Sequence, residues 1–183
     1  CGRMWWMMKW LGHDAVAVLD GGLQAWEASG GAVEKGAPAA LKPIASKFEL
    51  KSALREWVST EQLAPQVGHP NLTLIDARAA ARYRGEMEPL DPVAGHIPGA
   101  LNRPFAENLG ADGFFKSPEV LRAEFEKLLA GRDPATVVHH CGSGVSTVPN
   151  ILAMEIAGLG LTRLYPGSWS EWCNTPGLPC AKG

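Results

Sequence analysis

Short apolar, β-branched runs recur along the chain, and most are followed by a stretch with helical spacing. Leu72-Thr73-Leu74-Ile75 reads as a strand ending at Asp76, Ala100-Leu101-Asn102 as a short strand, and Val137-Val138-His139-His140 as another. A last strand is expected near Arg163 to Tyr165. Between them, Ser59-Thr60-Glu61-Gln62 has the form of a helix start with a capping hydroxyl, and helices are predicted from about Pro118 to Leu129 and from about Val145 to Ala157. Pro149 fits the latter only in its first turn, where backbone NH groups have no partner in any case. Strands that alternate with helices argue for an α/β fold, a parallel sheet with helices on both faces. Alternation along a strand sends His139 and His140 to opposite faces, so one of them is expected to be buried.

The first thirty residues repeat a pattern found at the other end. Arg3 to Leu11 is helical in spacing but apolar on almost every side, which predicts burial on more than one face. It leads through Gly12 to an expected strand, Ala15-Val16-Ala17-Val18-Leu19, and then to Gly21 and Trp26. Superposing Gly12 on Gly158 places Asp20 on Pro166, Gly21 on Gly167 and Trp26 on Trp172 without a gap, an internal repeat of which the first copy has only its tail. From Gly31 to about Lys47 the chain is rich in Gly, Ala, Pro and Lys with no apolar period, so residues 31–57 read as a linker and 58–183 as one complete domain.

Composition narrows the function classes. The chain has 183 residues, 46% hydrophobic and 20% charged, an ordinary globular balance. A net charge of −2 and the absence of a basic stripe set nucleic acid aside as a partner. The apolar run Met4 to Leu11 is interrupted by Lys9 and is far too short to span a membrane. Cys1, Cys141, Cys173 and Cys180 lack the paired spacing of a zinc site, so no metal or cofactor is expected, and their arrangement fits a reducing, cytoplasmic setting.

The stretch with the most chemistry is Cys141-Gly142-Ser143-Gly144-Val145-Ser146, which follows the apolar strand. Gly142 and Gly144 allow the backbone to turn successive NH groups inward, as in anion-binding nests. A helix start beyond them favours the thiolate over the thiol. The simplest alternative is a buried cysteine acting as a small hydrophobe, but the end of a strand in an open parallel sheet is where such folds place ligands. A phosphatase would need an arginine at the far end of the loop to clamp phosphoryl oxygens; the sixth position after Cys141 is Thr147, and no arginine or lysine intervenes before Arg163.

These residues resemble the active-site loop of the rhodanese superfamily, in its mercaptopyruvate sulfurtransferase branch. The family usually has threonine where Ser146 stands. Three further stretches match in order: Asp76-Ala77-Arg78 with Arg82-Tyr83-Arg84-Gly85, then Gly95-His96-Ile97-Pro98-Gly99-Ala100, then Gly167-Ser168-Trp169-Ser170-Glu171-Trp172. The resemblance implies a rhodanese-like domain preceded by a partial second copy, residues 1–30 being the tail of an N-terminal domain. It implies that Cys141 takes a sulfane sulfur from 3-mercaptopyruvate, or from thiosulfate, as a persulfide. The sulfur then passes to cyanide or to a thiol acceptor such as thioredoxin or glutathione. The loop Gly142, Gly144, Val145 and Ser146 would hold the sulfur anion, Arg82 would bind the donor carboxylate, and Ser143 would assist proton transfer with an acid from the first domain.

Several roles have plainer alternatives. Ser143 could cap the following helix, and Arg82 could form a surface salt bridge to Glu86 or Glu88. The family's second carboxylate-binding arginine falls at Asp91 here, so that role has no counterpart unless Arg84 or Arg103 substitutes. Asp76, Arg78 and His96 are expected to tie loops together, and Trp169 and Trp172 to close the core. A non-catalytic binding module of the same fold is the rival from another class.

Overall fold

A computed structural model describes residues 2–37 and 47–183, so Cys1 and residues 38–46 of the expected linker lie outside the described residues. Four parallel strands form one sheet in the order β2-β1-β3-β4: β1 Thr73–Asp76, β2 Leu101–Asn102, β3 Val137–His140 and β4 Arg163–Leu164. β1 is flanked by β2 on one side and β3 on the other, so the chain reverses direction across the sheet between β1 and β3. The crevice at their C-terminal ends is the topological switch point of the fold.

Both faces of the sheet are covered, as the uninterrupted apolar runs require. Leu74 and Val138 pack with Leu63, Ile97, Tyr165, Trp169 and Trp172 on one face. The helices there are α3, Thr60–Leu63, and α7, Ser168–Asn174. Ile75 and Val137 pack on the other face with Leu121, Phe125 and Leu129 from α5, Pro118–Leu129, and with Ala153 and Met154 from α6, Val148–Ile156. His139 and His140 are therefore both buried, not one of the two, because opposite faces of this sheet are equally dry. α3 opens with a full capping box between Ser59 and Gln62, and a short α4, Ala80–Tyr83, follows β1.

The N-terminal stretch folds as α1, Gly2–Trp10, and α2, Gly22–Ala28. Ala15–Leu19 forms no strand: it bends at Ala15 and pairs with no strand among the described residues. The expected strand fails there because no neighbouring edge is offered, and Val16 and Val18 pack instead beside α1. Trp5 and Trp6 are buried against Val148, Ile151 and Leu164, so α1 finds its partner in α6. Leu54 to Val58, at the end of the expected linker, is docked: Trp57 bridges to Leu164 in parallel, and buried Arg55 pairs with Glu155 at 2.6 Å and stacks over Trp5.

Candidate active site

Cys141 leaves the C-terminal end of β3 at the switch point. The loop from Gly142 to Thr147 is irregular, and α6 begins only at Val148, three residues later than its spacing suggested, with Pro149 in its first turn. The delay has a local cause. Gly144 takes φ +72, and a Cβ on it would lie 2.6 Å from the Pro166 carbonyl oxygen, so the loop doubles back against the turn before α7. That turn grips the loop by its backbone: the Trp169 NH donates to the Cys141 carbonyl and the Ser170 NH to the Gly142 carbonyl, each at 2.9 Å. The Cys141 NH donates to Ser168 Oγ at 3.1 Å, and Ser168 Oγ donates to the Tyr165 carbonyl at 2.9 Å. Ser168 holds a left-handed φ of 55 to do so, a conformation that costs a non-glycine residue about 1–3 kcal/mol.

The thiol sits at the floor of the loop, 1% exposed. Burial pushes its pKa up, but the Thr147 hydroxyl, the Ser143 NH, and the Ser146 hydroxyl and NH outweigh burial and hold it below the ordinary thiol value. Thr147 Oγ1 is buried with no conventional hydrogen-bond partner, which leaves its hydroxyl to turn to the thiolate. Ser143 and Val145 are exposed on the rim, and Gly142 and Ser146 are half-buried. Ser143 does not cap α6; Thr147 occupies the position before it and makes no side-chain cap. His139 and His140 are neutral at pH 7, their pKa values lowered by burial, His139 to about 3. A neutral imidazole beside the thiol leaves the loop hydroxyls and NH groups to stabilise a sulfur anion.

Arg82 reaches the loop from α4. Its Nη1 is the nearest atom to a Cβ built on Gly142, at 3.5 Å. Its other edge is bound to Glu88, with Nη2 to Oε1 at 2.5 Å and Nε to Oε2 at 3.3 Å, and Asp91 Oδ2 lies 3.6 Å from Nη2. The salt bridge is thus mostly buried rather than on the surface, and Asp91 joins it. Neither proposed substitute for a second arginine serves: Arg84 pairs with Glu86 in solvent, while Arg103 is buried with Glu124 and stacked on Phe125.

Asp76, Arg78 and His96 form the scaffold below. Arg78 Nη2 pairs with Asp76 at 2.6 Å and donates to the Gly95 carbonyl at 2.7 Å, its guanidinium 4.8 Å from the Trp169 ring. His96 stacks on Tyr83 at 3.9 Å and its Nδ1 meets the Tyr83 carbonyl oxygen at 2.8 Å. A cavity of about 1110 Å³ lies elsewhere, at the N-terminal ends of β3 and β4 between Lys51–Glu56 and Thr162–Arg163. Sequence reasoning missed Ser168 and Thr147, and offered Glu88 only as a surface partner of Arg82. Only Ser168 had a signal, since the repeat aligns it with Gly22, which also takes a positive φ, +64.

A parallel α/β domain with a thiol held in a loop of hydroxyls and NH groups at its switch point defines the class: a thiolate-loop protein of the doubly covered α/β kind. Residues 59–175, more than half of the chain, match the rhodanese-like domain family, and the chain belongs to it. A Pseudomonas aeruginosa protein named a probable 3-mercaptopyruvate sulfurtransferase is 48% identical over 99% of this chain and 63% of its own length. A mouse thiosulfate sulfurtransferase is 37% identical over 93% of this chain and 57% of its own. The solved 3-mercaptopyruvate sulfurtransferase from Leishmania major aligns with a TM-score of 0.80 at 34% identity, over 97% of this chain and 49% of that one. The chain thus spans less than two thirds of the length of each of these relatives.

Among the described residues no helix is long and apolar enough to cross a membrane.

Proposed function

We propose that this chain carries the catalytic domain of a sulfurtransferase in which Cys141 accepts a sulfane sulfur from 3-mercaptopyruvate and passes it, as a persulfide, to a thiol. The observation that carries this reading is the buried Cys141 thiol at the end of β3, in a loop that the turn before α7 folds back so that its hydroxyls and NH groups favour the thiolate against burial. The thiolate attacks the donor sulfur, the carbon–sulfur bond breaks, and its electron pair passes to carbon as the enolate of pyruvate, which takes up a proton. In this reading Ser143, exposed on the rim, assists delivery of that proton. The Arg82 Nη1 edge faces the loop and suits the donor carboxylate. An acceptor thiolate, such as that of glutathione or of a thioredoxin in the cytoplasm, then attacks the outer persulfide sulfur and releases Cys141.

Thiosulfate is the second donor, supported by relatives that carry it in their names. The two neutral residues after Cys141 favour mercaptopyruvate, since neither Gly142 nor Ser143 adds positive charge for a dianion. Residues 1–30 belong, in this reading, to the tail of a preceding rhodanese-like unit that closes the cleft, with residues 31–57 as the connection.

Intact mass after exposure to each donor tests the proposal. One added sulfur on the wild type and none on Cys141→Ser is expected; a wild type that gains no sulfur from either donor would leave a binding module of the same fold. Arg82→Lys should load more slowly from mercaptopyruvate, because an ammonium cannot serve Glu88 and a donor carboxylate with two parallel edges.

A further inference from the structure

We propose that Asp91 sets the charge class of the donor, selecting a monoanionic α-keto acid over a dianion; this rests on the sulfurtransferase reading above. Three carboxylates, Asp76, Glu88 and Asp91, surround two guanidinium groups, Arg78 and Arg82, immediately beside Gly142. Arg78 is committed to Asp76 and shares Glu88, whose two oxygens also take the Nε and Nη2 of Arg82 and the NH groups of Leu90 and Asp91. Asp91 differs from the other two acids. Its Oδ2 is buried without a hydrogen-bond partner, so the Arg82 guanidinium at 3.6 Å is the cation facing it.

The group that would receive a donor anion is therefore already matched by one carboxylate and overmatched by a second. An incoming anion meets the Arg82 Nη1 edge, while Asp91 holds its Oδ2 3.6 Å from Nη2 of the same guanidinium. Coulombic repulsion scales with donor charge, so whatever penalty Asp91 imposes on a monoanion applies about twice over, as a free energy, to a dianion. Mercaptopyruvate carries one negative charge on its carboxylate, whereas thiosulfate carries two. In thiosulfate loading the Cys141 thiolate attacks the outer sulfur, the sulfur–sulfur bond breaks, and sulfite leaves with the electron pair. That step brings the dianion to the loop, beside the guanidinium that Asp91 already faces.

Asp91→Asn keeps the shape and removes the charge, and Asp91→Ala removes both. The test is the second-order rate of Cys141 persulfide formation on the 183-residue chain with each donor, read by intact mass. Neutralising Asp91 is expected to raise loading from mercaptopyruvate about threefold and from thiosulfate about tenfold, so the ratio of the two moves toward thiosulfate in both variants. A general loss of packing would lower both rates together, and that result, or an unchanged ratio, would overturn the proposal. Anion occupancy is read separately, without sulfur transfer, as protection of Cys141 from iodoacetamide by sulfate and by pyruvate. Sulfate protection should strengthen more than pyruvate protection in Asp91→Asn; equal strengthening, or none, counts against Asp91. A wild type that loads from neither donor while its sulfate protection responds to Asp91→Asn would refute the sulfurtransferase reading and leave the charge selection standing.

Discussion

Two regions of this chain have nearly the same local structure and opposite surroundings. A shift of 146 positions carries α1, Gly2–Trp10, onto α6, Val148–Ile156, and α2, Gly22–Ala28, onto α7, Ser168–Asn174, with identical bounds. Even the tryptophans behave alike: Trp26 Nε1 donates to the Ala32 carbonyl at 3.0 Å and Trp172 Nε1 to the Pro179 carbonyl at 2.8 Å, closing the chain beyond each helix. Yet Trp172 is 0% exposed and Trp26 45%, and no residue of α2 is buried. Local sequence thus determines where these helices start and stop, while what lies beneath them determines whether their apolar faces are used: α1 borrows α6, α7 rests on the sheet, and α2 has no buried residue. Among the described residues only the second region has that sheet, and only there does the turn before the helix grip a buried thiol.

The largest expected effect exploits that contrast. Trp172→Ala should destabilise the chain by about 3–5 kcal/mol, the usual cost of emptying a large core site, whereas Trp26→Ala should cost less than about 1 kcal/mol. Denaturant midpoints of the two variants measure this directly. Similar shifts would mean that α2 is covered in solution by something the isolated chain does not provide.

Association is the next discriminator. Removing residues 1–30 looks attractive from the sequence as a way to a more soluble domain, since a helix apolar on all sides has no evident partner. In the structure Trp5 and Trp6 already cover Val148, Ile151 and Leu164, so the deletion would uncover α6. What stays exposed is Met4, at 63%, and Met7 on α1, with Leu23 and Trp26 on α2. Burying one such side chain stabilises by about 1.5–3 kcal/mol, enough in combination to drive self-association. Sedimentation velocity should show the wild type associating and Met4→Glu with Leu23→Glu shifting it toward monomer. A wild type that is monomeric at all concentrations would show that this face is tolerated as it is.

Much of the fold was legible because its signals are local. β1, β3 and α5 follow from apolar runs and caps, and the order of strands and helices requires a parallel sheet. Cys141 and its glycines were legible for the same reason, since a thiol, two flexible residues and a strand end are adjacent in sequence. What escaped depends on distant partners. Ala15–Leu19 has the composition of a strand but no edge to join. Thr147 was passed over as part of a helix, although the close approach of Gly144 to Pro166 delays that helix and leaves the Thr147 hydroxyl beside the sulfur. Glu88 was legible only as a surface partner of Arg82, because nothing along the chain says that Arg78 and Asp91 join the pair and that it is mostly buried.

Ser168 offers a smaller effect that probes the turn itself. Ser168→Ala keeps the strained φ and removes the oxygen that receives the Cys141 NH, so a loss of about 1–2 kcal/mol in stability and slower persulfide loading are expected together. Ser168→Gly relieves the strain, as Gly22 does in the first region, but restores no acceptor. It should recover stability more than loading. If loading recovers in step with stability, the hydroxyl serves only the backbone.

The finest test concerns the thiolate. Hydrogen bonds to sulfur lower the Cys141 pKa in the folded chain, so loading should rise with pH through a value below that of a free thiol and level off above it. The sign carries over to stability: a thiol whose pKa falls on folding stabilises the fold above the unfolded pKa, and that contribution fades as pH drops through the folded value. Thr147→Val removes one hydroxyl from the buried sulfur and keeps the side-chain shape. Because burial then opposes ionisation with less to balance it, the rate profile should move to higher pH. Each unit of that shift corresponds to about 1.36 kcal/mol of lost preference for the thiolate, and loading at pH 7 should slow severalfold while the plateau at high pH is kept. The first region carries no thiol within the described residues, so only the second should respond, and iodoacetamide alkylation of Cys141 across the same pH range should follow the loading profile. A pH profile unchanged in Thr147→Val would assign the thiolate to the Ser143 and Ser146 donors alone.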